Sequence, residues 1–533
     1  VTVTEHAGEK GLKSGAIGLV SSVVIGVSST APGYSIAATL GFIVVAVGLQ
    51  SPAVLLLAFV PMFCIAYAYR ELNRIDPDCG TTFTWAARAF GPRTGWMGGW
   101  AIVIADIVVM ANLAQIAGEY GFLLFGLDSA ADNTFWTTVV GCAWIVVLTY
   151  ICYRGLEVSA KLQLWLLGVE VFALALFAVV ALVKVYSGNA PEGSVDPSLS
   201  WFNPFEIGSF SALSAGVILA VFIYWGWDTA VAINEETEDK ETTPGKAAVW
   251  STVLLLAIYA LIGVATLAYA GTAALSDEAV ADDVLAEVGN QVLGSTLGKL
   301  LIIAVLTSAA ASTQTTILPT ARTTLSMAAH RAIHNSFARI HPTFLTPTTS
   351  TIGMGVASVT FYVGLVLISG NVLADSIASL GVFIAFYYGM TGAACVWQFR
   401  RELTRSVNDF VVKGLLPAIG TVILAACLGK SVYDMYDADY GDTSFHGVGG
   451  VFLLGVGGLV LGVVVMVLCE ALAPAYFRGP DKGPLPKVVV DPVTLSGDVD
   501  PDTVTLASAH AGEPLVLPDP AGASEGADEK RVT

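Results

Sequence analysis

Charge is scarce in this chain. Asp, Glu, Lys and Arg make up 13% of its 533 residues, against about 25% in an ordinary soluble domain. Something other than water must therefore face much of the surface. Basic residues are scarcer still: 25 Lys and Arg stand against 43 Asp and Glu, a formal charge of -18. That balance excludes a nucleic-acid-binding protein, which needs a basic face. The seven cysteines are scattered, at Cys64, Cys79, Cys142, Cys152, Cys395, Cys427 and Cys469, with no CxxC pair and no metal-type spacing. They read as small core residues. Of the six histidines, His330, His334 and His341 share one stretch, and His6, His446 and His510 are terminal or in loops. No histidine set suits a metal site, and no nucleophile and base converge as an intramembrane enzyme would require. No enzyme, no cofactor and no metal are expected.

What is present is apolar sequence: 55% of residues are hydrophobic, and the mean hydropathy is +0.72. A helix needs about 20 apolar residues to cross a bilayer. About twelve stretches qualify, near 15–46, 51–71, 95–123, 134–152, 160–185, 208–234, 247–270, 298–327, 350–369, 373–397, 411–432 and 449–473. The expectation is an all-α polytopic membrane protein. The first run is too long for the core of a signal peptide and is followed directly by another, so it is expected to stay and span.

Basic residues gather on alternate loops. Arg70, Arg74, Arg88 and Arg93 lie between spans 2 and 3, Arg322, Arg331 and Arg339 near the 8–9 connection, and Arg400, Arg401, Arg405 and Lys413 between spans 10 and 11. The positive-inside rule then places both termini in the cytoplasm of a cell with the protein in its inner membrane. Residues 1–14 read as a cytoplasmic tail. The stretch 78–91 is too short and polar to span, and reads as an interfacial helix with Phe83, Trp85 and Phe90 toward lipid or bundle. Residues 474–533, acidic and rich in Pro and Gly, read as a disordered cytoplasmic tail.

Two spans carry sequence that an uninterrupted helix avoids. Span 1 contains Ser28-Ser29-Thr30-Ala31-Pro32-Gly33. Pro32 lacks an N–H and disfavours helix at Ala31. Span 6 contains Tyr224-Trp225-Gly226-Trp227-Asp228, a glycine between tryptophans with a carboxylate in mid-span. Irregular backbone at membrane depth persists where it faces protein or a water-filled cavity, and a buried acid needs a partner or a role. Breaks five spans apart, at matching positions of two inverted halves, point to a substrate site. Exposed N–H groups at a half-helix start attract carboxylate, and exposed C=O groups attract ammonium.

Three stretches carry a family likeness: "GVSSTAPGYS" in span 1, "YRELNRIDPDCGTTFTWAARAFG" at 69–91 and "YWGWDTAVAINEETEDKETTPGKA" at 224–247. In these, residues 12–473 resemble the amino acid-polyamine-organocation (APC) superfamily, specifically its bacterial amino acid permeases. Thr81 and Thr82 depart from the pattern, standing where glycine is commoner. Thr242 also precedes Thr243 and Pro244, where a single basic or branched residue is common. The resemblance implies a LeuT-like bundle of 5+5 inverted repeats, with spans 1–5 over 15–185, spans 6–10 over 208–397 and two peripheral spans over 411–473. It implies backbone near Ser28–Gly33 holding a substrate carboxylate, carbonyls around Tyr224–Gly226 holding its ammonium, and Trp225 and Trp227 shaping or gating the pocket.

Carriers of this fold are driven by Na+ or H+. Ser308, Ser312 and Thr313 of span 8 could contribute sodium ligands, or only bond back to their own helix. Proton-coupled relatives place a lysine where this chain has Glu170, a second ionisable group in the apolar run of span 5 and a candidate proton carrier. Asp106 of span 3, with Asn112, Gln115 and Glu119 after it, is a candidate relay. Glu235 and Glu236, with Lys240 or basic residues across the loops, are candidate inner-gate contacts. The leading expectation is proton-coupled import of an amino acid, and the alternative is import of a putrescine-like polyamine or amino acid/polyamine exchange. Asp228 fits either, because a carboxylate there occurs in both kinds of carrier.

Overall fold

The computed structural model describes residues 10–277, 280, 284–369, 371–441 and 443–478. Of the expected disordered tail 474–533, the first residues instead form a short helix, Pro474–Phe477, with Tyr476 and Phe477 buried. The remainder from 479 onward, residues 1–9, and the acids Glu278, Asp282 and Asp283 of one expected acidic loop lie outside the described residues.

Helix dominates, as the apolar runs require: in a bilayer the backbone must satisfy its own hydrogen bonds. The principal helices are α1 (Leu19–Ser29), α2 (Pro32–Val47), α3 (Ser51–Ile75), α4 (Thr82–Phe90), α5 (Pro92–Leu124), α6 (Thr134–Arg154), α7 (Leu156–Tyr186), α8 (Phe210–Ile223), α9 (Thr229–Ala232) and α10 (Thr243–Leu275). They continue as α11 (Val284–Ala329), α12 (Thr348–Ile368), α13 (Val372–Phe399), α14 (Leu416–Met435) and α15 (Gly450–Leu472). A two-residue hairpin pairs Ser444–Phe445 with Val448–Gly449.

Ten segments of the described residues are long and apolar enough to span. The sequence suggested about twelve, and the difference has a local cause. Leu19–Ile75 counts as one stretch although it holds three helices, and Phe210–Ile223 is a short apolar helix that stops where span 6 was expected to continue. The close pair after 350 is two separate helices, α12 and α13.

Helix α11 lies at the centre, packed on α5, α7 and α2, while α10 packs on α3 and α13 on α14 and α5. Its turns from Ser308 to Thr323 are buried although rich in Ser and Thr. That polar face inside an apolar bundle is the setting of the site. The 78–91 stretch forms α4, which buries Phe83 and Trp85 in the bundle and leaves Phe90 exposed. Thr81, just before it, has φ +44, a backbone region where glycine costs least. The departure from the family pattern at Thr81 thus falls on a strained position.

Candidate substrate site at two broken helices

The first break lies between α1 and α2. Thr30 caps α1, and Ala31 takes a left-handed conformation (φ 47, ψ 66) that lets α2 restart at Pro32. Thr30 and Ser35 hold the turn: Thr30 Oγ1 donates to Val27 O (2.7 Å) and Ser35 Oγ to Thr30 O (2.6 Å).

The second break spans Tyr224–Asp228, between α8 and α9. Gly226 has φ +118, and a Cβ there would stand 2.7 Å from Ser29 O. Glycine is therefore required twice, by its backbone and by the close approach. The same approach puts Ser29 Oγ 2.8 Å from Thr229 Oγ1. Ser312 Oγ of α11 donates to Ser29 O at 3.0 Å, and Thr229 Oγ1 to Thr315 O at 3.2 Å. The two breaks and the polar face of α11 thus meet at Ser29.

Glu170 of α7 sits at the start of α2. Its Oε1 accepts from Gly33 N at 2.6 Å and from Ser308 Oγ at 2.9 Å, and Ser308 Oγ also receives Tyr34 N at 3.2 Å. A carboxylate at a helix N-terminus meets free N–H groups and the positive end of the helix dipole. The other oxygen, Oε2, is buried with no hydrogen-bond partner. Thr313, the third hydroxyl considered for a cation, bonds back to Ala309 O at 2.7 Å.

Asp228 turns toward α13. Its Oδ1 accepts from Tyr388 (2.8 Å) and its Oδ2 from Tyr387 (3.1 Å), while Trp225 Nε1 donates to the Tyr387 hydroxyl. Trp227 stacks on Tyr388 with ring centroids 5.1 Å apart, and Tyr69 meets both rings edge-on. Tyr224 packs edge-on against Tyr259, whose hydroxyl donates to Ile223 O at 2.6 Å, the last carbonyl before the break. Ser28 Oγ, Tyr34 Oη, Tyr224 Oη and Trp227 Nε1 are buried without partners. Together they line the breaks with unused hydrogen-bonding capacity.

Asp106 of α5 accepts from Thr320 Oγ1 of α11 at 2.5 Å. Glu235 and Glu236 lie in a buried 3-10 turn after α9. Arg322 grips Glu236 with two hydrogen bonds (2.8 and 2.9 Å), both side chains 1% exposed. Glu235 pairs with Lys10. These partners come from α11 and the N-terminal segment, while the Lys240 carbonyl accepts from Asn73 Nδ2 (2.8 Å).

Sequence reasoning missed Tyr387 and Tyr388, Tyr259, Thr229 and Lys10. The adjacent tyrosines of "FYYGM" were the available signal, since two phenols in an apolar run need acceptors.

The amino acid permease family model matches residues 15–432. An uncharacterized transporter of Mycobacterium tuberculosis is 28% identical over 422 residues, 78% of this chain and 86% of the relative. A branched-chain amino acid permease of Lactococcus lactis is 25% identical over 41% of this chain and 50% of its own length. An arginine/ornithine antiporter of the same species is 22% identical over 46% of this chain and 52% of its own. Helices enough for many crossings, breaks in contact at Ser29 and Gly226, and a family match over most of the length agree: the chain is a multi-pass membrane transport protein of the amino acid permease family, within the APC superfamily.

Proposed function

We propose that the chain exchanges amino acids or amine-bearing relatives across the inner membrane by alternating access, with substrate held at the two breaks. The contact of Gly226 with the Ser29 carbonyl carries the proposal, because it brings the irregular backbone of both spans to one place. Splitting Leu19–Ile75 at Gly48 and counting Phe210–Glu236 as one interrupted crossing gives twelve spans. Spans 1–5 and 6–10 are then the inverted repeats of a LeuT-like bundle, with both termini cytoplasmic.

In this reading the substrate carboxylate takes the Gly33 amide at the start of α2 in place of Glu170. Carbonyls at Tyr224–Gly226 receive the ammonium, and Trp225 and Trp227 wall the side chain. Asp228 supplies charge for a cationic side chain or a polyamine once Tyr387 and Tyr388 release it. The arginine/ornithine antiporter among the relatives favours exchange of cationic amino acids over one-way import.

A second reading, uptake driven by H+, rests on Glu170. One of its oxygens ties α7 to Gly33 and Ser308 while the other is unpartnered, an arrangement in which one proton changes how α2 is held. The test is transport of a labelled panel of neutral and cationic amino acids and putrescine into proteoliposomes, with and without internal substrate, under separate H+ and Na+ gradients. Stimulation by internal substrate supports exchange. Uptake that follows the pH gradient alone supports the second reading. Movement of no member of the panel overturns both.

A further inference from the structure

Lys10 lies in the stretch read from sequence as a free tail, yet it is 6% exposed. Its ammonium donates to Asp78 Oδ2 at 2.9 Å and to Glu235, with Cys79 Sγ at 3.8 Å. Each acid is fixed from another side. Asp78 Oδ1 accepts from Ser326 Oγ of α11 (2.7 Å) and Gly80 N (2.8 Å), and Glu235 Oε1 from Cys79 N (3.0 Å). His330 Nε2 stands 3.9 Å from Asp78 Oδ2. The next residues continue the attachment. Leu12 is buried among Cys79, Leu325 and Ala328, the amides of Ala16 and Ile17 donate to Glu236 O (2.8 and 3.1 Å), and Glu238 N donates to Ile17 O (3.0 Å).

Asp78, Cys79 and Glu235 offer ligand atoms within 4.8 Å of one another, the outline of a metal centre. The ammonium stands at their focus, so the cation of this site is the chain's own lysine. Burial alone would push that ammonium down, but Asp78, with Cys79 and Glu235, outweighs it and holds Lys10 well above the usual lysine value. Burial likewise opposes ionisation of Asp78, and Lys10 with His330 outweighs it, holding the carboxyl well below the usual range. Burial holds His330 below the ordinary histidine value.

We propose that Lys10 is the pin of the inner gate, a positioning residue that locks the base of α1 to the 76–81 loop and to the end of span 6. Alternating access, on which this inference rests, requires α1 and the post-α9 turn to part on the cytoplasmic side. Only Gly18 separates Leu19, where α1 begins, from Ile17 of the Ile17–Thr237 bridge. Release of the ammonium therefore frees the lower half of span 1 to swing. The N-terminal segment thus belongs to the transport machinery, and its removal unlatches the inward face.

Native Cys79 reports the opening, being fully buried beside the pin. The full-length protein in nanodiscs is treated with N-ethylmaleimide, and alkylation of Cys79 is followed by peptide mass spectrometry, with buried Cys64 of α3 as the internal control. Lys10→Met is expected to raise the Cys79 rate about tenfold or more, the change an opening equilibrium shifted by one decade produces. Lys10→Arg is expected to stay within about threefold of wild type, and Cys64 to stay slow throughout. Asp78→Asn weakens the lock from the other side and is read the same way should Lys10→Met not fold. A Cys79 rate indifferent to both variants, or rising together with Cys64 in both, would overturn the proposal. Labelling needs no substrate, so a chain that moves nothing yet answers at Cys79 keeps the pin and loses the exchange reading. A transporting chain indifferent at Cys79 does the reverse.

Discussion

Glu170 and Gly33, 137 positions apart in the chain, are joined by a 2.6 Å hydrogen bond from the Gly33 amide to Oε1. The bond fastens a carboxyl of α7 to the first turn after the break in span 1, so any change of proton on Glu170 is felt where substrate would sit.

Glu170→Gln keeps an acceptor for Gly33 and Ser308 and removes the ionisation. Exchange between equal pH compartments is expected to persist within about threefold, while acceleration by an inward H+ gradient disappears. Glu170→Ala strands the Gly33 amide and is expected to cost about 1–3 kcal/mol. Flux assays at matched and unmatched pH, with a thermal midpoint for each variant, check both. Persistent H+ stimulation in the glutamine variant would remove Glu170 from coupling.

Gly226→Ala places a methyl 2.7 Å from Ser29 O on a backbone with φ +118. Strain of this kind costs about 1–3 kcal/mol. The expected outcome is a lower thermal midpoint and transport reduced at least about tenfold. An active variant of normal stability would show that the two breaks need not touch.

Thr81→Gly runs the other way. Thr81 holds φ +44, and glycine relieves that strain at a cost of about 0.5–1 kcal/mol in unfolded-chain entropy. A net gain on the order of 1 kcal/mol is expected, read as a rise in thermal midpoint. A fall would mean that buried contacts of the Thr81 side chain outweigh the backbone.

The Lys10–Asp78 lock should be insensitive to pH over a wide range. Asp78 is held low, so its contribution is present above the unfolded carboxyl value near 4 and fades only as pH falls through its depressed folded value. Lys10 is held high, so its contribution is present below about 10.4 and fades as pH rises through its elevated one. Cys79 protection, corrected for the ordinary rise of thiol reactivity with pH, should stay constant from about pH 5 to 9. A break below the ordinary histidine value of about 6.5, within that window, would put His330, rather than the ion pair, in control.

Much of the architecture was legible because membrane helices advertise themselves through length and hydropathy. The breaks were legible too, since Pro32 follows a Ser-Ser-Thr run and Gly226 stands between two tryptophans beside a carboxylate, whereas Pro61 alone leaves α3 unbroken. The partners were not. That Asp228 faces Tyr387 and Tyr388, or that Ser312 reaches the Ser29 carbonyl, depends on helix rotation, which period and composition leave open. Lys10 was hidden for another reason: a polar stretch before an apolar run looks like a tail, and only the distant acids Asp78 and Glu235 give it a place.

The claim that substrate charge is read at the break of span 6 is tested most directly by counterflow in proteoliposomes. A labelled cationic amino acid and a labelled branched-chain one are compared in wild type and in Asp228→Asn, with thermal midpoints measured alongside. The account predicts that the wild type exchanges the cationic substrate and that the variant, still folded, loses it at least about tenfold relative to the neutral one, as expected for an ion pair worth 1.4 kcal/mol or more. Cationic exchange unchanged in Asp228→Asn would contradict it and leave the carboxylate as a structural acceptor for Tyr387 and Tyr388.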